Sequence, residues 1–450
     1  MRNLLTLSAD LAGAERKILY AILLLAALLR LGAIAEFHSP LISDDKDYDA
    51  IARAVVHGEG YSFEGKPTAY RLPAYPLVLA GTYFLFGEHH YPVKILQMIL
   101  DTYSCFLLYA IGKKLFSAQV GLLAAAILAL FPIQILYVTH LMTETIFTTI
   151  FLLIIWRVVA NESEALNVRN DLLLGALIGI GVLFRSPIGL LPFVILIYRW
   201  KAGFSTRQIL RSGALMFLAM FLVLLPWLVR NYIEFQKVTV TSNGGVNFWI
   251  GNHPDASGSY SFPYSNNPLA VIDDDFQRSD VGTKLAFEFI REHPVDELVI
   301  VGKKFAHFFA ADYWLMMTMD FKPEWVHPAH AVTVFRQLSL TNGLILHVPY
   351  IIVLLLGTFA LICHSGDDEN VFFFLRTILL YWLAVHLVFF ADARYRFPVV
   401  PIFVLAAAYG WFLIQERKFV FTLRRALVLG LICLLYLSGW TGEILTLTRQ

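Results

Sequence analysis

The chain has 450 residues, of which 58% are hydrophobic and 15% are charged, with a formal net charge of +1 at pH 7. A soluble globular protein carries about 25% charged residues, so this composition excludes an ordinary soluble domain. No basic patch interleaved with aromatic residues is visible, and we expect no nucleic-acid partner. The three cysteines, Cys105, Cys363 and Cys433, fall within apolar runs, which predicts buried thiols rather than a disulfide framework or a metal site.

Apolar runs long enough to cross a bilayer recur along the chain, which predicts an all-α polytopic membrane protein. Arg16 and Lys17 precede the first run, which we interpret as a retained helix rather than a signal peptide. Since cytoplasmic loops are enriched in Lys and Arg, the loop after this run is predicted to lie outside. About eleven spans are predicted, near residues 18–37, 92–112, 119–138, 141–159, 171–184, 187–199, 213–229, 343–363, 371–391, 397–414 and 426–447.

Two polar segments are predicted on the outer side of the membrane. The first, 38–90, contains a short predicted helix at 47–57 and an apolar stretch at 73–86, too short to span, that we expect along the interface. The second, 231–338, has several turn-forming glycines and two predicted helices, which favours a small mixed outer subdomain. These helices are near 280–292 and 294–317. The predicted domains are an N-terminal transmembrane catalytic module (1–230), an extracytoplasmic subdomain (231–338) and C-terminal transmembrane helices (339–450).

Several arginines lie at predicted outer ends of spans, although positive charge there works against the insertion bias. Ionisable groups at membrane depth are costly unless they are paired or functional. The arginines are Arg71, Arg185, Arg230, Arg394 and Arg396, and acids on the same side are Asp44, Asp45 and Glu144. Because the guanidinium fork matches phosphate oxygens, this one-sided set predicts a site for a phosphate-containing lipid head group.

Structural roles are the alternative for these residues. Asp44 could only cap the helix that follows it, since Asp is a favoured N-cap. Arg71 could anchor the chain at the interface, with its stem in lipid and its charge in water. Glu144 could pair with His140, one helical turn earlier, and Arg230 could be an ordinary helix-end arginine.

Short motifs along most of the chain resemble those of the GT-C superfamily of glycosyltransferases. Ser43-Asp44-Asp45, followed by Tyr48, resembles the acidic motif of the first outer loop in these enzymes. The stretch 67–76, PTAYRLPAYP, resembles the proline-rich segment whose basic residue contacts the lipid phosphate. Thr143-Glu144 and the stretch 393–398, ARYRFP, resemble a span start and a late outer turn of relatives. Many relatives have Asp-Glu where this chain has Asp44-Asp45.

The chain resembles the broad group of this superfamily that contains protein O-mannosyltransferases and lipid A aminoarabinose transferases, which is family 39-like. It implies an inverting hexosyl- or pentosyltransferase of the cell membrane with its active site on the extracytoplasmic face. The implied donor is a polyprenyl-phosphate-linked sugar, and the acceptor is a lipid, a protein or a polysaccharide. No cofactor is expected, with a divalent metal as the open alternative.

The resemblance also assigns roles. Asp44 is the expected general base, which takes a proton from an acceptor hydroxyl, and Asp45 is expected as a second catalytic residue that orients the acceptor or the donor. Arginines are expected to stabilise the charge that grows on the leaving phosphate, and an inverting transfer needs no covalent intermediate. The expected phosphate-binding residues are Arg71, Arg185, Arg394 and Arg396, and the expected orienting residues are Tyr48, Glu144 and Arg230.

A secondary transporter and a glycan ligase are the alternatives to a glycosyltransferase. A secondary transporter often shows two matching halves with broken helices, but the halves of this chain do not match. A ligase that moves a whole lipid-linked glycan would also use outer arginines, but its base is expected in a later large loop. The acidic motif in the first loop favours the glycosyltransferase.

Overall fold

The computed structural model describes residues 13–37, 41, 44–160, 167–260, 267–312, 315, 318–319, 339–364 and 369–449, with side chains described as far as residue 441. Ser43 of the acidic motif, the end of the predicted helix 294–317 and much of the later part of the predicted subdomain 231–338 lie outside these residues. Within them the chain is almost wholly helical. Helices suit a bilayer because each satisfies its backbone hydrogen bonds internally.

Ten helices form the first half of the described chain. They are α1 (Gly13–Glu36), α2 (Asp44–Val56), α3 (Ala74–Phe86), α4 (Tyr91–Leu115), α5 (Ala118–Ala129), α6 (Pro132–Tyr137), α7 (Glu144–Ala160), α8 (Val168–Phe184), α9 (Leu191–Lys201) and α10 (Thr206–Phe235). Two antiparallel strands, β1 (Ser62–Phe63) and β2 (Lys66–Pro67), lie between α2 and α3. A 3₁₀ turn, Ser186–Leu190, joins α8 to α9. The predicted helix at 47–57 is thus confirmed as α2, and the apolar stretch at 73–86 forms the short helix α3.

Seven further helices belong to the second half. They are α11 (Gly244–Gly251), α12 (Asp275–Glu292), α13 (Pro294–Phe308), α14 (Leu340–Cys363), α15 (Glu369–Val388), α16 (Val400–Gln415) and α17 (Leu423–Arg449). A 3₁₀ turn, Ala393–Val399, leads directly into α16. The predicted domain boundary at residue 230 falls inside α10, which continues to Phe235.

Seven segments of the described chain are long and apolar enough to cross a membrane, which makes this a multi-pass membrane protein. They are Gly13–Glu36, Tyr91–Leu115, Thr206–Phe235, Leu340–Cys363, Glu369–Val388, Ala393–Gln415 and Leu423–Thr441. Each coincides with a predicted span. Helices α7 and α8 have 17 residues each, and α5 and α9 are shorter still. The total of about eleven spans therefore stays a prediction.

The predicted span 119–138 is not one helix. Helix α5 ends at Ala129, and α6 begins at Pro132, because proline cannot continue a helix but suits its first turn. Phe131, directly before the proline, is extended with φ −74° and ψ 112°, as the proline ring requires of its neighbour. The break turns the chain so that α7 starts at Glu144, three residues later than the predicted span.

A fully buried ion pair supports this break. Arg30 of α1 contacts Asp101 of α4 at 2.5 Å between Nε and Oδ2. The same guanidinium donates to the carbonyl oxygens of Leu128 and Ala129, at the end of α5. Removing one partner of a buried pair typically costs about 3–5 kcal/mol, so Arg30 ties three helices together at membrane depth.

Helices α8 and α10 approach closely through small residues. Gly175 and Gly179 lie one turn apart on α8, in the small-xxx-small pattern common at membrane helix interfaces. A Cβ atom at Gly175 would overlap the backbone carbonyl of Met216, and one at Gly179 would lie 2.9 Å from Cβ of Val223. The contact fixes the middle of α8 against α10, and Arg185 follows the end of α8.

We expect Gly175→Ala to lower the free energy of unfolding by about 1–3 kcal/mol, the usual cost of overpacking a tight contact. The measurement is thermal unfolding of the purified protein in detergent. Gly32→Ala in α1 is the control, because nothing lies within 4 Å of a Cβ atom added there. Equal stability of the two variants would contradict the close packing of α8 on α10.

Candidate active site

Asp44 lies between two arginines that come from distant parts of the chain. Its Oδ1 accepts a hydrogen bond from Nη2 of Arg71 at 2.8 Å, and its Oδ2 accepts one from Nη1 of Arg394 at 2.8 Å. Asp47, one helical turn later, accepts from Nη2 and Nε of Arg71 at 2.7 and 2.9 Å. Two carboxylates and two guanidinium groups therefore form one connected cluster, only partly exposed to solvent.

The local sequence explains why the acids of this cluster share a face. Asp44 and Asp47 are three residues apart in the first turn of α2, so their side chains are neighbours on the helix surface. Acidic residues at a helix N-terminus are also favoured by the helix dipole.

Backbone contacts hold Arg71 in place. The segment that precedes it, residues 68–70, has three carbonyl oxygens that accept hydrogen bonds from the last turns of α10 and the segment that follows it. Thr68 accepts from Arg230, Ala69 from the Ser242 amide, and Tyr70 from the Thr241 hydroxyl. The hydroxyl of Tyr61, the residue before β1, also donates to the Arg71 carbonyl oxygen.

The turn after α15 positions Arg394. Asp392 caps this turn, with Oδ1 accepting from the Arg394 amide at 3.0 Å. Trp382 of α15 donates from Nε1 to the carbonyl oxygen of Tyr395 at 2.7 Å. The guanidinium of Arg394 is thus presented by a turn that is fixed at both ends.

A second ion pair lies where α7 begins and α8 ends. Nη2 of Arg185 contacts Oε1 of Glu144 at 2.5 Å, and its Nε donates to the hydroxyl of Thr143 at 3.0 Å. Glu144 is 1% exposed. The alternative, an ion pair of Glu144 with His140, does not form between these two described residues. The Nε2 atom of His140 lies 3.0 Å from the hydroxyl of Thr318 instead.

Aromatic rings join the two pairs. The guanidinium carbons of Arg394 and Arg185 lie 5.2 and 5.5 Å from the ring centre of Tyr395. On the opposite side of the cluster, Arg71 lies 5.7 Å from the ring centre of Tyr48. Such cation–ring contacts orient the guanidinium planes. The structure therefore brings Asp44, Arg71, Arg394, Glu144, Arg185 and Tyr48 into one site.

The charges of the site are strongly coupled. Burial alone would raise the pKa of the Asp44 carboxyl, but the guanidinium groups of Arg394 and Arg71 outweigh burial and hold that pKa well below its ordinary value. Burial, together with the charge of Asp44, raises the pKa of the Tyr48 hydroxyl. Burial raises the pKa of Tyr70 to about 12. Asp44 is thus an anion at neutral pH, and the tyrosines are hydrogen-bond donors.

Three predicted residues have other surroundings. Asp45 is buried, and its Oδ1 accepts from the Lys46 amide. Arg396 is 3% exposed, donates to the Phe308 carbonyl oxygen and lies 4.2 Å from the ring centre of Tyr350. Its Nη2 atom has no hydrogen-bond partner among the described residues.

Arg230 serves the loop rather than the acid cluster. It donates to the carbonyl oxygens of Tyr61 and Thr68 and lies 4.9 Å from the ring centre of Trp227. These contacts attach the residues on either side of β1 and β2 to the end of α10. The predicted roles of Arg230, Asp45 and Arg396 in orientation, catalysis and phosphate binding stay predictions.

Four residues of the site were not predicted from the sequence: Asp47, Thr143, Asp392 and Tyr395. The signal for Asp47 was available, because it lies one helical turn after Asp44. Thr143 and Tyr395 belong to the motifs Thr143-Glu144 and 393–398, but the resemblance assigns neither of them a role. Asp392 acts through the backbone of its own turn, which sequence spacing does not reveal.

No group of three or more His, Cys, Asp or Glu side chains suited to a metal ion occurs among the described residues. The expectation of a reaction without a metal stays a prediction.

Comparisons with known proteins agree with this architecture. Residues 66–229 match the family model described as dolichyl-phosphate-mannose-protein mannosyltransferase. This match includes Arg71, Glu144 and Arg185. No curated protein matches the chain.

The fold is similar to solved structures of the oligosaccharyltransferase AglB from Archaeoglobus fulgidus. The complex with Zn and sulfate has a TM-score of 0.52 and 13% identity, and the match covers 94% of this chain and 52% of that one. The complex with an inhibitory peptide and a dolichol-phosphate has a TM-score of 0.51 and 11% identity, over 95% and 55% of the two chains. The chain thus spans about half the length of these structures.

ArnT from Cupriavidus metallidurans bound to undecaprenyl phosphate is a further similar structure, with a TM-score of 0.45 and 15% identity over 87% of this chain and 75% of that one. The helical architecture is thus similar to the GT-C membrane fold of these enzymes. The family match covers residues 66–229, a little over a third of the chain.

The ion pairs of Asp44 predict a specific pH dependence of stability. A carboxyl whose pKa is lowered by folding contributes stability above its ordinary pKa of 3.8, and the contribution is lost as pH falls through the lowered value. We expect wild type to unfold at a higher temperature than Asp44→Asn by a constant margin from pH 8 to pH 5. Below about pH 4 the margin should shrink. A margin that disappears between pH 7 and pH 5 would show that the arginines do not hold this carboxyl ionised.

Proposed function

We propose that the chain is an inverting glycosyltransferase, which moves one sugar from a polyprenyl-phosphate carrier to a hydroxyl of a lipid, protein or polysaccharide. The observation that carries this proposal is the placement of Asp44 between the guanidinium groups of Arg71 and Arg394. One site thereby contains both a carboxylate and two groups suited to a phosphate. The match to the dolichyl-phosphate-mannose-protein mannosyltransferase family supports a sugar linked to a lipid phosphate as the donor.

The donor competes with Asp44 for the arginines. In the described structure both guanidinium groups are bound to Asp44, and this keeps the pKa of its carboxyl low. A carboxylate with so low a pKa is a weak base. When the donor phosphate binds Arg71 and Arg394, Asp44 loses its hydrogen bonds to them and part of their electrostatic stabilisation. The pKa of Asp44 then rises, so donor binding produces a stronger base.

The reaction uses this exchange. The carboxylate of Asp44 takes the proton of the acceptor hydroxyl while the acceptor oxygen attacks the anomeric carbon of the sugar. The bond between that carbon and the phosphate oxygen breaks from the opposite side, and the configuration inverts. The polyprenyl phosphate leaves with one additional negative charge, which Arg71 and Arg394 stabilise. Protons and charge balance without a covalent enzyme intermediate.

The Glu144–Arg185 pair orients the other side of the site. Glu144 is buried and holds Arg185 at 2.5 Å, so the guanidinium is fixed against the Tyr395 ring that Arg394 also contacts. A fixed arginine loses little entropy when it binds an anion. We assign Arg185 to binding of the phosphate or the sugar. Tyr48 orients the site from beneath Arg71, whose guanidinium lies over its ring.

The proposed location is the extracytoplasmic face of the cell membrane. Lys113 and Lys114 end α4, and Arg199 and Lys201 end α9, so these helix ends carry the basic residues typical of the cytoplasmic side. The Glu144–Arg185 pair, which the Tyr395 ring joins to the cluster around Asp44, lies at the start of α7 and directly after α8. The 3₁₀ turn leads from there into the start of α9, which is the end of that helix opposite to Arg199 and Lys201.

We expect Asp44→Asn to lower the transfer rate by about 100-fold or more, since general base catalysis contributes about 10²–10⁴. The assay is complementation of a deletion strain, read by mass spectrometry of its glycolipids and glycoproteins. The wild type should restore a glycosylated product that Asp44→Asn does not restore at equal protein level.

Asp47→Asn is the matched control for this variant. It removes an ion pair to the same Arg71 from the same face of α2, but not the proposed base. We expect it to retain the product. Normal product formation by Asp44→Asn, or equal loss in both variants, would exclude Asp44 as the base.

We expect Arg71→Ala to weaken the binding of undecaprenyl phosphate by about 10- to 100-fold, the value of a hydrogen bond to a charged group. Binding is measured with the purified full chain in nanodiscs. Arg53→Ala is the control, because Arg53 is also on the first outer loop but pairs with Asp49 and Glu88. Unchanged binding in Arg71→Ala would show that Arg71 is a structural residue.

A further inference from the structure

A second site is suggested by a groove at the far end of the bundle. A cavity of about 680 Å³ lies between α13, α14, α15, α16 and α17 and is lined mostly by apolar side chains. It exists because α17 packs on α13 and α14 but stands away from α15. Only 11% of the most apolar window of α17 is buried, the lowest share among the candidate spans of the described chain.

One end of this groove is basic. Arg376, Arg424 and Arg425 line it together with Thr422, which precedes the first turn of α17. Thr422 accepts a hydrogen bond from the Arg425 amide, as a helix N-cap does. A helix N-terminus carries partial positive charge, which adds to that of the arginines.

The arginines differ in how strongly they are engaged. Arg376 pairs with Glu369 at 2.6 Å, and Arg425 donates to the carbonyl oxygens of His364 and Val420. Arg424 is exposed and makes no side-chain ion pair or hydrogen bond with the part of the chain that the structure describes. The positive charge of this end therefore exceeds the negative charge of its described neighbours.

Aromatic rings also line the groove, among them Phe308, Phe403 and Tyr436. From Arg424 to Tyr436, α17 rises about 18 Å, a little more than half of the 30 Å hydrocarbon thickness. The groove is thus about as deep as one leaflet, with its charges at the leaflet surface.

The basic end is distinct from the proposed active site. Arg376 is in the first half of α15 and pairs with Glu369 at its start, whereas Arg394 follows the end of that helix. About 18 Å of helix separates Arg376 from Val388, so the two sets of arginines lie at opposite ends. The loop between α16 and α17 also carries Arg417 and Lys418, which favours the cytoplasmic side for the groove's basic end.

We propose that this groove binds one anionic glycerophospholipid of the cytoplasmic leaflet. Its phosphate contacts Arg424 and Arg425, and its acyl chains fill the space between α15 and α17. Basic pockets between membrane helices on the cytoplasmic side bind anionic head groups in this manner. The lipid would complete the packing of α17, which protein contacts leave mostly uncovered.

The test uses the purified full chain and two probes, phosphatidylglycerol and phosphatidylethanolamine with identical acyl chains. Native mass spectrometry measures the bound fraction of each. We expect wild type to prefer phosphatidylglycerol, and Arg424→Gln with Arg425→Gln to weaken its binding by roughly fivefold per arginine. The double variant Arg417→Gln with Lys418→Gln is the control, since both residues are in the loop directly before α17 but do not line the groove.

A second variant tests the groove without changing its charge. Ile432→Trp places a larger side chain among the lining residues, and we expect it to lower the bound fraction of phosphatidylglycerol at least tenfold. Equal binding of the two lipids by wild type, or equal losses in the groove and control variants, would overturn the proposal. Displacement of phosphatidylglycerol by undecaprenyl phosphate would overturn it too, because the groove would then belong to the donor.

Discussion

The contact of Asp44 with Arg71 and Arg394 is the interaction on which the site depends. It connects the first turn of α2, the extended segment before α3 and the turn after α15, which are up to 350 residues apart in sequence. A carboxylate in this partly buried place is stable only because two guanidinium groups compensate its desolvation. The same compensation makes it a weak base until an anion takes its place at the arginines. Structure and proposed chemistry are therefore linked through one set of hydrogen bonds.

The fold serves this contact by fixing the helices and turns that carry its residues. Small residues hold α8 against α10, Arg30 fastens the end of α5, and Asp392 caps the turn that presents Arg394. Each device acts on backbone position. The proposed catalytic side chains come from loops and helix termini that this rigid membrane scaffold holds in place.

The sequence predicted the polytopic helical class and the main members of the cluster for a physical reason. Charges that oppose the insertion bias are rare, so Arg71, Arg185 and Arg394 stood out from the apolar background. The break at Pro132 was missed because hydropathy averages over 18 or more residues and does not register a local change of direction. The contacts of Arg230 with backbone carbonyl oxygens were also out of reach, since no pattern of residue types marks them.

A structure with undecaprenyl phosphate bound tests the exchange at Asp44 most directly. The account predicts that the phosphate oxygens contact the guanidinium groups of Arg71 and Arg394, and that the Asp44 carboxylate is released from both and faces the open site. A bound phosphate elsewhere, with Asp44 still held by both arginines, would contradict the account.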